Sequence, residues 1–291
     1  MNLHRRSALT SRVAAVAAFV GLMTSATIAA DVSPWDDDLQ SAARLIAAQA
    51  NNEAGGRTFR AGVEIKLKPG WKTYWRYPGD SGVPPSLDFS GSQNLKTVTM
   101  LYPAPQRFPD GAGGSSIGYM GDVIFPLRVV AERAGAPVTL RLKMDYAVCE
   151  KLCVPAKANL ELALNGATSA KDAALGAAEA RVPKRAELGA RGALSISAVR
   201  REQVAGKPRI VVDVTAPAGQ AVTLFAEGPT AHWALPLPEP VAVTGSGAGA
   251  GSQRFAFALD GLPPGAAASG ATLRLTAVAA DSAIEVAFRL D

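Results

Sequence analysis

The chain has 291 residues, a formal charge of +5, and only two cysteines and two histidines. So few histidines argue against a Ser/His/Asp triad or a histidine-rich zinc centre, and no nucleophile-elbow or phosphate-loop sequence supports either chemistry. The length is ample for burying a core without disulfide staples.

Residues 1–30 contain no acidic residue, carry Arg5, Arg6 and Arg12, and run through an apolar stretch over 13–23 into small residues ending at Ala29-Ala30. This order predicts a secretory signal peptide cut near Ala30, with Arg5-Arg6 also compatible with twin-arginine export. No later segment is apolar for long enough to span a bilayer, so the expected location is the periplasm, as a soluble protein. Removing the three arginines of the leader from +5 leaves +2. That balance argues against nucleic acid as a partner.

Residues 59–67 alternate apolar or small side chains with Arg60, Glu64 and Lys66, the period of a half-buried strand. Pro69-Gly70 turns the chain, and Trp71, Tyr74 and Trp75 follow, read as core aromatics without a binding role. Asp110-Gly111-Ala112-Gly113-Gly114 reads as a loop. The cleanest alternation covers 138–146, and a second strand is predicted at 158–164. Ser169 and Asp172 form a capping-box start for a short helix towards Arg181, ended by Pro183. Alternation returns at 210–214, 222–226, 255–259, 273–277 and 284–290, which predicts a second β sandwich, with a flexible tract at 245–252.

Between the strands at 138–146 and 158–164 stand Cys149-Glu150-Lys151-Leu152-Cys153. In an oxidising compartment the only two cysteines are expected to pair. The pair is expected on a loop or a single turn: one helical turn would bring both thiols to one face, whereas an extended segment would hold them too far apart. As a staple, a loop this short yields only about 2 kcal/mol, so reversible thiol exchange is the sharper reading and a static structural bridge the blander one. A Cu(I) site is a third, with Met120 or Met144 adding a thioether. Lys151 would favour a thiolate and Glu150 oppose it. His232, beside Trp233, reads as structural.

The runs Gly70-Trp71-Lys72-Thr73-Tyr74-Trp75, Pro78-Gly79-Asp80-Ser81-Gly82-Val83-Pro84-Pro85 and Tyr146-Ala147-Val148-Cys149-Glu150-Lys151-Leu152-Cys153-Val154-Pro155 resemble the DsbD N-terminal domain family, over roughly residues 35–165. The likeness is closer to the periplasmic part of its ScsB-type members, whose cysteine pair precedes Val-Pro. It implies an immunoglobulin-like sandwich, and with the strand spacing and the helix signal the chain is expected to be all-β, with two immunoglobulin-like sandwiches at 31–165 and 193–291 joined by a short helical linker at 166–192. It also implies that Cys149 and Cys153 are the redox pair of a component of a protein-disulfide reductase, without cofactor. The pair would pass reducing equivalents from a membrane thiol transporter or thioredoxin-like donor to oxidised periplasmic clients. A non-catalytic module with a static disulfide, or a Cu(I)-binding copper-handling protein, is the alternative. In DsbD an aromatic residue on a cap loop shields the cysteines. The counterpart segment here, 110–119, has Ala112 at that place, which transfers the expected shielding to Phe108 or Tyr119. The cysteines also lie closer together than in DsbD, and DsbD's membrane conduit and thioredoxin-like domain have no counterpart here, so separate partner proteins are expected.

Overall fold

The computed structural model describes residues 30–53, 56–111, 113–242 and 251–291. The expected leader up to residue 29, most of the flexible tract at 245–252, and Ala112 lie outside the described residues.

The first half of the chain lays down β1 (Asp36–Asp37), β2 (Ser41–Glu53), β3 (Gly56–Leu67), β4 (Lys72–Gly79), β5 (Ser86–Asp88) and β6 (Leu95–Met100). It continues with β7 (Gln106–Pro109), β8 (Ser115–Met120), β9 (Val123–Ala131), β10 (Val138–Cys149) and β11 (Cys153–Leu164). These strands make one sheet ordered β1-β2-β3-β9-β6 and a second ordered β11-β10-β4-β8-β7, with β5 also on β10. The period-two pattern decides which faces meet. Phe59, Ala61, Val63 and Ile65 of β3 and Val138, Leu140, Leu142 and Met144 of β10 are all buried, and they share one core with Trp75, Phe125 and Leu127. Each fully buried large side chain of this kind contributes roughly 1.5–3 kcal/mol.

The single helix among the described residues, α1 (Asp172–Ala180), seals the outer face of the first sheet through fully buried Leu175, packed with Ile46 and Ala48. A Cβ on Gly62 would sit 3.0 Å from Leu175 and from Ile124, so the glycine is what lets the helix approach. Half of the expected capping box is present: the Ser169 N–H donates to Asp172 Oδ2 at 2.8 Å. The Ser169 hydroxyl, however, accepts from the Lys171 N–H at 2.9 Å, and the helix begins at Asp172.

The second half contains β12 (Lys184–Arg185), β13 (Ser195–Val204), β14 (Lys207–Thr215) and β15 (Thr223–Glu227). It ends with β16 (Glu239–Val241), β17 (Ser252–Ala258), β18 (Thr272–Val278) and β19 (Ala283–Arg289). Two four-stranded sheets, β12-β19-β18-β15 and β13-β14-β17-β16, enclose a second core that includes Ile210, Phe255, Leu275 and Val286. All five windows of alternation in this half overlap strands, three of them running one residue beyond the strand end. The protein is thus all-β apart from one helix among the described residues, none of whose helices is long and apolar enough to cross a membrane.

The halves are joined through β4. Trp75 is fully buried and packs on Phe225 of β15, with ring centroids 5.6 Å apart. Arg76 grips Glu227 with two bonds of 2.8 and 2.7 Å and also pairs with Glu285 of β19. The Tyr77 hydroxyl donates to the Leu235 carbonyl at 2.7 Å. The segment expected as a plain helical linker takes part too, because Lys184–Arg185 pairs in parallel with β19.

Candidate functional site

Strands β10 and β11 form one long hairpin in strict register from Val138↔Leu164 to Cys149↔Cys153. The cysteines are therefore the last pair of the ladder, directly opposite each other, with only Glu150, Lys151 and Leu152 between them. This corrects the expectation that an extended segment would hold the thiols too far apart, and it sets them at the two ends of a hairpin loop rather than on a helical turn. An extended chain does bring the thiols together when it reverses direction between them, since opposed residues of an antiparallel pair have Cβ atoms about 4.5–5.5 Å apart. The Cys153 S–H donates to Cys149 Sγ across 2.7 Å, both as free thiols. Forming a bond of about 2.05 Å needs only a small side-chain movement.

Burial on β10 departs from alternation where the site begins. Even positions point to the core as far as Tyr146 and Val148, yet Ala147 and Cys149 on the opposite face are also buried. The cover is Tyr74 of β4, itself 2% exposed, which clusters with Ala147 and Cys149. Its hydroxyl lies 2.9 Å from Cys153 Sγ. Burial, followed by the two thiols, holds the Tyr74 phenol well above its ordinary range, so it stays protonated and able to donate to a sulfur. The two cysteines are unequal: Cys149 is 6% exposed and Cys153 is exposed. Burial and the Cys153 hydrogen bond push the Cys149 thiol up, opposed by the Tyr74 hydrogen bond and then by the charge of Lys72.

Register defines the rest of the surface. Cys149 is opposite Lys72, and Lys72 is opposite Met120, so Cys153, Cys149, Lys72 and Met120 form one row across four strands on one face. The positive charge acting on the thiol comes from this neighbouring strand, whereas Glu150 and Lys151 are exposed in the hairpin loop. Met120 shares the face but lies two strands from Cys149, and Met144 points into the core at 2% exposure. Neither joins the thiols in a ligand set, and among the described residues no group of three or more His, Cys, Asp or Glu side chains could hold a metal. His232 is exposed.

Of the two aromatic residues considered for shielding, Tyr119 is on the wrong face. It is 4% exposed in the main core, packs edge-on against Phe125 at 5.1 Å, and donates its hydroxyl to the Pro103 carbonyl at 2.8 Å. One residue along a strand separates it from Met120, and one residue reverses the face. Phe108 is half-buried, with the Lys72 ammonium 5.7 Å from its ring centroid, which places it beside the row.

The residue that sequence reasoning missed is Tyr74, grouped there with Trp75 as core. The two are adjacent on one strand and so face opposite ways, Trp75 to the core and Tyr74 to the thiols. A second missed contributor is Gly82. At φ +132 it lies against the Tyr74 ring so closely that a Cβ would fall 2.4 Å from Cε1. The loop after β4 is tied down in turn, because the Ser115 N–H donates to Asp80 Oδ2 at 2.9 Å and the Asp80 N–H to the Ser115 carbonyl at 2.9 Å.

Residues 42–165 match the family model described as "Thiol:disulfide interchange protein DsbD, N-terminal". Among solved structures, the chain is similar to the N-terminal periplasmic domain of ScsB from Proteus mirabilis, with a TM-score of 0.67 and 21% identity over 89% of this chain and 98% of that one. At this identity the likeness is one of fold. No curated protein sequence matches the chain significantly. The cysteine hairpin and its covering tyrosine strand both lie inside the segment, residues 42–165, that matches the DsbD N-terminal family model.

Proposed function

We propose that this protein is a periplasmic thiol:disulfide exchange protein that relays two electrons through Cys149 and Cys153. Its donor is a membrane thiol transporter or thioredoxin-like protein, and its clients are oxidised periplasmic proteins. The observation that carries the reading is the inequality of two adjacent thiols, one exposed and one covered by a tyrosine whose hydroxyl reaches the pair. A bridge that served only as a staple has no need of an accessible sulfur. We read the architecture as two immunoglobulin-like sandwiches, at 31–165 and 193–291, joined through 166–192, with Phe108 as the aromatic shield at the side of the pair.

In the disulfide form, a donor thiolate attacks the exposed Cys153 Sγ. The Cys149–Cys153 bond breaks, a mixed disulfide forms, and the bonding pair leaves on Cys149, which takes up a proton. A second donor thiolate then attacks the donor's own sulfur in the mixed disulfide and releases Cys153, so that the donor is oxidised by two electrons and this protein is reduced by two. The same steps in reverse pass the electrons to a client disulfide. The Tyr74 hydroxyl donates to the sulfur that carries negative charge at each stage, and burial raises the Cys149 thiol so that this cysteine closes the cycle rather than opening it. Leu152, 77% exposed between the cysteines, supplies an apolar contact at the tip of the hairpin.

The test is the reduction potential of the pair, measured by equilibration in thiol buffers and alkylation of free thiols. A value between about −270 and −120 mV is expected, and one well below about −300 mV would identify a structural bridge instead.

A further inference from the structure

A cleft of about 610 Å³ opens between the outer face of the first sheet and the segment that crosses to the second half. The sheet contributes Arg60, Arg128 and Thr99 as its floor, the crossing segment Lys184 and Arg185 as its wall, and the helix Glu179. Arg60 is directly opposite Arg128 in the β3–β9 ladder, and Arg128 is directly opposite Thr99 in the β9–β6 ladder. Like charges on opposed residues destabilise a sheet, so the Arg60–Arg128 pair costs the fold something. Arg60 is balanced by a two-bond contact with Glu179, at 3.0 and 2.6 Å, and by Asp172 at 3.7 Å. Among the described residues, Arg128, Lys184 and Arg185 form no ion pair and are exposed, although Arg185 stands directly opposite Glu285 in the β12–β19 ladder. Three cations that form no ion pair line one concave space in a chain whose whole formal charge is +5, Lys184 and Arg185 contributing from opposite faces of β12.

From this we infer that the cleft binds a ligand bearing phosphate groups with at least two negative charges. The planar guanidinium of Arg128 on the floor and that of Arg185 on the wall suit two-point recognition of phosphate oxygens, while Lys184 contributes a point charge. The Thr99 hydroxyl beside Arg128 adds a neutral donor. The site is separate from the thiols, which lie on the other sheet of the first half, and it does not depend on their redox role. The phosphate could belong to a soluble ester or to an anionic lipid headgroup.

The experiment is titration calorimetry of the purified protein with inorganic pyrophosphate, paired with flotation on phosphatidylglycerol and phosphatidylcholine vesicles. Saturable pyrophosphate binding that weakens with salt is expected, and Arg128→Thr and Arg185→Gln should each weaken it about 10-fold or more, as loss of a charge-assisted bond does. Arg128→Thr keeps a strand-forming residue and relieves the Arg60 repulsion, so its urea midpoint should equal or exceed that of the parent. A binding loss then cannot be ascribed to misfolding. Pyrophosphate binding without flotation assigns a soluble phosphate ester, and flotation on phosphatidylglycerol alone that pyrophosphate competes away assigns a headgroup. The inference is overturned if neither probe binds, or if both substitutions leave binding unchanged.

Discussion

Replacing Arg76 by methionine tests how strongly the two halves of the molecule are bound together. The substitution keeps the length of the aliphatic stem and removes the guanidinium that holds Glu227 and Glu285. The three side chains are only 22%, 10% and 17% exposed, so the carboxylates would be left largely desolvated. Removing one partner of a buried pair costs about 3–5 kcal/mol. Here Arg274 remains 3.4 Å from Glu285 and 4.0 Å from Glu227, which places the loss at the low end, about 3 kcal/mol. In a protein of this size that lowers Tm by roughly 6–12 °C. Urea unfolding of the parent, Arg76→Met, Glu227→Gln and the double variant gives the coupling by a double-mutant cycle. The double variant should recover part of the loss, because one stranded charge is gone. A loss below about 1 kcal/mol for Arg76→Met, or a double variant as unstable as the sum of the singles, would refute the assignment of this network as the clamp.

Gly82→Ala should destabilise by roughly 1–3 kcal/mol and speed alkylation of Cys149, since the new methyl must displace the Tyr74 ring. Gly111→Ala, whose Cβ meets nothing within 4 Å, serves as the control for backbone strain alone. Tyr74→Phe should slow thiol alkylation at fixed pH by about fivefold, the equivalent of one hydrogen bond of ~1 kcal/mol, and an unchanged rate would show that the hydroxyl does not act on the thiols. The buried Cys149 thiol sets a pH dependence. With its pKa raised in the folded state, the dithiol protein has this contribution in full below the thiol's ordinary value and loses it as pH rises through the folded value, because the unfolded chain ionises first. Urea midpoints of the dithiol form should therefore fall with pH in the alkaline range relative to those of the disulfide form, and parallel curves would contradict the stated burial effect.

The elements legible in the sequence were those with one wet face. β10, β11 and β19 announce themselves because over most of their length every second residue meets solvent, whereas β14, β17 and β18 alternate in sequence although each buries three residues in a row. The candidate site was legible as two cysteines but not as a geometry, because the spacing of Cys149 and Cys153 is the same in a helical turn and across a hairpin, and only the register of the flanking strands separates them. Tyr74 was hidden for a related reason: Tyr74-Trp75-Arg76-Tyr77 gives no alternation of polarity, since both faces of β4 are covered there, one by the core and the other by thiols and the second half of the chain. Tyr119 was placed by alignment of a loop, and a strand position that is off by one residue points the opposite way. Ser169 and Asp172 did signal the helix, although the turn between them stays outside it.

The short stretch 74–77 also determines what kinds of sequence change this protein can absorb. Four consecutive residues answer to four different neighbours: the thiols, the main core with Phe225, the Glu227–Glu285 pair and the Leu235 carbonyl. A substitution at one of them disturbs one contact. An inserted or deleted residue upstream in β4 would turn each side chain to the opposite face, uncovering the thiol pair and breaking the joint between the halves together. Variation in length should therefore be confined to the turns that flank this strand, and a scan of single-residue insertions would find the residues around Tyr74 the least tolerant in the first half of the chain.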